Sequence, residues 1–262
     1  LEPGDEDGGI LHTMTIGLAH NTPTQGESFA SQLQTFRSAA DALATRSDTL
    51  GETFGQAQTE SYAAYNATDD GYENAVDASH DNATNVAAGS GTAILSDLTT
   101  INSNQTALNN TAQTATPELA FCQTEVGRLC EQLTALAAAA PQGPVAASLQ
   151  QALTNLKGGG ELQAQVAFDP SEALAEAPEL IGIITDAANQ VAADTAGTTD
   201  VSGQGAVAME SLSTLQGDYG ELGNIAGPAS NQQLTTTQYY QATVSWVDQA
   251  LTELGGTTVP TP

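Results

Sequence analysis

Leu119-Ala-Phe-Cys122-Gln-Thr-Glu-Val126-Gly-Arg-Leu129-Cys-Glu-Gln-Leu133-Thr-Ala-Leu136-Ala-Ala-Ala-Ala140 is the stretch that decides the fold. Its apolar members step by three and four residues, which puts Leu119, Cys122, Val126, Leu129, Leu133, Leu136 and Ala140 on one face of a helix. Thr116-Pro117-Glu118 places a capping hydroxyl, a proline at the first helical position and an acid in the first turn, so the helix is expected to start there. Pro141-Gln-Gly-Pro144 ends it.

Working outward, Phe29, Leu33, Phe36, Ala40, Leu43, Leu50, Phe54 and Ala57 form an a/d seam with one polar member, Ser47. The seam is read to change phase at Tyr62, Tyr65, Tyr72 and Val76, as a four-residue stutter would produce. The helix then either runs on to about residue 87 or breaks near Gly71. After Gly89-Ser90-Gly91 comes a pattern of Ile94, Leu98, Ile101 and Leu108 that stops before Pro117. A helix carrying Val145, Leu149, Leu153 and Leu156 is expected to close at Gly158-Gly159-Gly160. Asp169-Pro170-Ser171-Glu172 opens another, with a kink or restart at Ala177-Pro178 before Leu180, Ile184 and Val191. Ala208, Leu212, Leu215, Tyr219 and Leu222 make a further helix, and Leu234, Tyr240, Val244, Val247, Leu251 and Leu254 the last.

The expectation is an all-α protein, an elongated multi-helix bundle of about seven helices with coiled-coil-like seams and an extended N-terminal arm. It divides into an arm over 1–27, a long-helix hairpin or bundle over 28–157, a second helical portion over 158–256 and a tail over 257–262. Within the arm, Met14, Ile16 and Leu18 alternate with Thr15, Gly17 and Ala19 at a strand period and have no strand partner elsewhere in the sequence. They are read either as an extension laid over the bundle or as an arm donated to a neighbouring subunit. Gly217, Gly220, Gly223 and Gly227 are spaced along one helical face, each costing about 0.8–1 kcal/mol of helix propensity relative to alanine. Close helix approach, within the bundle or between subunits, would offset that cost; otherwise the stretch is a loop.

Charge bounds the partners. Four basic residues, Arg37, Arg46, Arg128 and Lys157, face 31 acids, for a formal charge of −27 over 262 residues. Nucleic acids and anionic membrane surfaces require Lys and Arg, so neither is expected as a partner. The longest apolar runs, Ala137 to Ala140 and Leu180 to Ile184, fall far short of a bilayer span. A surface so anionic stays dissolved by self-repulsion unless salt, protons or multivalent cations screen it, which suits an extracellular, hypersaline or acidic medium. The first residue, Leu1, fits a processed product or a trimmed chain. Aromatics at 5% leave the core to Ala, Leu and Val.

Chemistry-bearing motifs are few. Cys122 and Cys130 lie two turns apart on one predicted helix, roughly 12 Å along its axis, too far to join each other unless the helix breaks. They are read as reduced core residues, as a bond across subunits or, with a local break at Gly127, as a bond within the chain. No P-loop, zincin, nucleophile-elbow or Cys-x-x-Cys pattern occurs. Asp77, His80 and Asp81 share a helical face and form a weak candidate metal site, read first as a solvated polar face. With so few cations to stabilise developing negative charge, no enzymatic role and no cofactor are expected, divalent cations at acidic surfaces aside.

Asn66-Ala-Thr68, Asn82-Ala-Thr84, Asn104-Gln-Thr106 and Asn109-Asn-Thr111 are glycosylation sequons, in keeping with a secreted surface protein. Tyr65-Asn-Ala-Thr-Asp69 resembles the Tyr-x-x-x-Asp/Glu element that follows helical hairpins in type VII secretion substrates. The Trp-x-Gly turn of that family is absent, Trp246 being followed by Val247 and Asp248, so the resemblance stops at one motif. The expected function is that of a secreted or cell-surface structural protein that self-associates into a filament, lattice or sheath in a saline or acidic setting. The alternative is a secreted helical binding protein, or a type VII-like substrate, acting on a host, cell-surface protein or glycan partner.

Overall fold

A computed structural model describes residues 28–80 and 85–256. It is all-α: the described residues form five helices and no strand. They are α1 (Phe29–His80), α2 (Asn85–Ala139), α3 (Pro144–Gln163), α4 (Ser171–Ala193) and α5 (Ser202–Gly256). The arm with Met14, Ile16 and Leu18 lies outside the described residues, as do the tail, Asp81 and Asn82.

Five helices replace seven because helices continue where local signals predict breaks. Pro117 lies inside α2 rather than at a helix start, Pro178 inside α4, and Pro228 inside α5. An interior proline removes one N–H donor and crowds the carbonyl four residues back, at a cost of about 3 kcal/mol. All three prolines sit on exposed faces. The freed carbonyls belong to exposed Gln113, half-buried Leu174 and exposed Asn224, so water can take over most of what the helix loses. On the opposite face Ala115 and Leu119, Ala177 and Ile181, and Ala226 and Ala229 are buried on both sides of each proline, and that burial favours continuing the helix through it. Gly158-Gly159-Gly160 likewise fails to close α3, and Gly71 does not interrupt α1. True ends carry stronger geometry. Gly143 before α3 has φ 109°, a conformation that side chains disfavour, and Pro144 follows at the first helical position.

The phase change expected at Tyr62 does not occur. Buried positions on α1 continue through Phe54, Ala57, Ser61, Ala64, Thr68, Gly71, Ala75 and Ala78, spaced alternately by three and four, while Tyr62 and Tyr65 stay 44% and 37% exposed. The seam is kept by small side chains and not by the tyrosines, whose hydroxyls are better satisfied in water.

The helices gather into two compact units made of non-contiguous segments. Residues 157 and 158, where the two helical portions were expected to divide, are neighbours inside α3. Unit 1 holds residues 29–47 of α1, Cys122 onward in α2, all of α3 and residues 235–256 of α5. Its buried residues include Leu33, Phe36 and Leu43 of α1, Val126, Leu129 and Leu133 of α2, Leu149 and Leu156 of α3, and Tyr240, Val244 and Val247 of α5. Gly158 and Gly159 are what admit α5: a methyl group at Gly159 would stand 2.7 Å from the Tyr240 ring, and one at Gly158 3.0 Å from Tyr239. The buried Tyr240 hydroxyl reaches Gln163 Oε1 at 3.3 Å, and Ser47 and Thr237 share a buried hydroxyl contact of 2.8 Å.

Unit 2 holds residues 48–121, spanning the rest of α1 and the first part of α2, together with residues 165–234, which comprise the linker, α4 and the first part of α5. The linker contributes Val166 and Phe168, the latter 4.8 Å from Phe54 between ring centroids. Contacts between α1 and α5 move in matched opposite steps: Gly55 against Ser230, Gln58 against Gly227, Tyr62 against Gly223, Tyr65 against Gly220 and Asp69 against Gln216. That is an antiparallel pair in a single register. Gly205 and Gly91 allow still closer approach, since a methyl on either would lie 2.5 Å from a backbone nitrogen, of Ser79 and of Ala192 respectively.

Candidate functional site

The linker of unit 2 turns into α4 through Asp169, whose Oδ1 accepts from the Ser171 N–H at 3.1 Å and from the Ser171 hydroxyl at 2.6 Å. These two bonds close a tight turn just before α4 and hold the Asp169 carboxyl below the usual range. One turn on, Glu172 and Glu176 are four residues apart and share a face. That face meets Asp218 and Glu221 of α5, three residues apart, and the five acids enclose a cleft of about 120 Å³ floored by Ala173, Leu222 and Ile225. No basic side chain lines it.

Asp218 is its least solvated acid. It is half-buried, and its Oδ2 is shut off from solvent without a hydrogen-bond partner. Burial pushes its carboxyl up, and the charges of Glu176, Glu221 and Glu172 push the same way. A cleft of this kind draws protons or small cations and repels anions. It offers no nucleophile paired with a base and no donor for an oxyanion. A second carboxyl, Asp97 of α2, is also raised, by burial above all, although the Asn74 amide donates to it at 3.0 Å.

The residues singled out in the sequence are not brought together. Asp77 and His80 are exposed in the last turns of α1, and among the described residues no group of three or more His, Cys, Asp or Glu is placed to hold a metal ion. Gly220, Gly223 and Gly227 face Tyr65, Tyr62 and Gln58 of α1 in their own unit, so the stripe is occupied by α1; Gly217 alone is open, with nothing within 4 Å of an added methyl. Asn66 lies within α1, and Asn104 and Asn109 within α2, in helix interiors and not on loops. The Thr68 hydroxyl donates to the Tyr65 carbonyl, that of Thr106 to the Asn102 carbonyl and that of Thr111 to Glu60. Tyr65 and Asp69 sit in the C-terminal half of α1, with Asp69 bound to Gln216 at 2.7 Å. Cys122 is buried and Cys130 half-buried, and neither is in a disulfide. Burial raises the Cys130 thiol, and Lys157 acts weakly in the opposite direction.

The carboxylate cleft is not legible in the sequence. Glu172 figures there only in the stretch Asp169-Pro170-Ser171-Glu172 that opens a helix, and the i, i+3 and i, i+4 spacings of the two pairs are ordinary for exposed helix faces. Only the packing of α4 on α5 puts them opposite each other. No known protein family, curated protein or solved structure matches the chain.

Proposed function

We propose that the chain is a secreted or cell-surface structural protein that self-associates into a filament, lattice or sheath, in a saline or acidic setting where cations or protons screen its carboxylates. One observation carries the reading: 31 acids stand against four bases. Arg37 is already engaged with both Asp41 and Asp248, and Arg128 with Glu125. Four bases can pair with only a minority of 31 acids, so most of the carboxylates, the five around the cleft among them, depend on the medium for counter-charge. Among the described residues no helix is long and apolar enough to cross a membrane. In this reading the protein is a glycoprotein with no enzymatic role, and divalent cations on acidic faces take the place of a cofactor.

Sedimentation velocity tests it, comparing the chain in low salt, in molar sodium chloride and in millimolar calcium, with and without residues 1–25. The expected result is a monomer in low salt and larger species once the charge is screened, with helical circular dichroism retained but assembly lost in the truncated chain. A full-length chain that stays monomeric in every medium refutes self-association.

A second reading, a secreted helical protein or type VII-like substrate that binds a host, cell-surface protein or glycan partner, is favoured by the exposed Tyr62 and Tyr65 on one stretch of α1. Exposed aromatic rings beside polar groups are common anchors at binding surfaces. A chain that remains monomeric at every ionic strength would favour this reading over the first.

A further inference from the structure

We draw no further inference here: the strongest candidate outside the carboxylate cleft, the apolar groove between α4 and α5 flanked by the exposed Ile183 and Val207 and floored by Ala187 and Gly203, carries nothing because nothing in the structure shows what covers it.

Discussion

Replacing two glycines of the same helix by alanine should move stability in opposite directions. At Gly217, exposed and with nothing within 4 Å of the added methyl, Gly217→Ala gains only backbone propensity, about 0.8–1 kcal/mol. At Gly205 the methyl would lie 2.5 Å from Ser79 N, 2.7 Å from the Ala78 carbonyl carbon and 2.8 Å from Ser79 Cα. Ordinary contact needs about 3.5–4 Å, and backbone atoms cannot rotate away as a side chain does, so α1 and α5 must separate by about 1 Å. Overpacking of this kind costs about 1–3 kcal/mol, against which the propensity gain in the first turn of α5 is at most about 1 kcal/mol. The net loss for Gly205→Ala is about 1–2 kcal/mol. The two variants should then differ by about 2–3 kcal/mol, or roughly 4–12 °C in Tm for a chain of this size. Thermal and urea denaturation followed by far-UV circular dichroism, at one fixed salt concentration, measures the gap. Gly223→Ala, whose methyl would meet the Tyr62 ring at 3.3 Å, should fall between them. Midpoints for Gly205→Ala and Gly217→Ala within about 1 °C of each other, or in reversed order, would refute the close approach of α5 to the end of α1.

Asp218 has a folded pKa above its unfolded value of about 3.9, so its ionised form costs stability at neutral pH, and that cost is recovered as pH falls through the folded value. Asp218→Asn should therefore raise the urea midpoint at pH 7 and remove that part of the gain on acidification; a variant less stable at pH 7, with an unchanged acid branch, would count against the cleft as described. Raising salt from about 10 mM to 1 M should raise the Tm of the native chain, because the Debye length falls from about 30 Å to 3 Å and the mutual repulsion of the carboxylates falls with it. A Tm indifferent to salt would show that this repulsion does not limit stability. Under native alkylation Cys130 should react slowly and ahead of Cys122, which should react only after unfolding, and mass spectrometry of the unreduced monomer should find two free thiols. An intrachain Cys122–Cys130 bond would be incompatible with an unbroken α2.

The sequence by itself determined that the protein is helical and which faces of most helices are buried. Every member of the Leu119–Ala140 seam is buried, as are Leu33, Phe36, Ala40 and Leu43 on α1 and Ala208, Leu212, Leu215, Tyr219 and Leu222 on α5. A period of 3.6 is a property of the chain itself and survives whatever it packs against. It also marked the ends that have strong local chemistry, Pro141 to Pro144 and Asp169-Pro170-Ser171. Tertiary structure alone decided where helices do not end. A single proline or a run of glycines costs a few kcal/mol locally, whereas burial of the seams on either side is summed over many residues and prevails. Gly158 and Gly159 read as a stop, yet their role is to leave room for Tyr239 and Tyr240, residues some eighty positions away. The seam through Ser61, Ala64 and Thr68 was hidden for the same reason: small side chains carry a weak hydrophobic signal, and their worth lies in how closely another helix can come. The carboxylate cleft belongs with these. Glu172 and Glu176 become a site only when α4 lies against Asp218 and Glu221, and nothing in the sequence near either pair encodes that they meet.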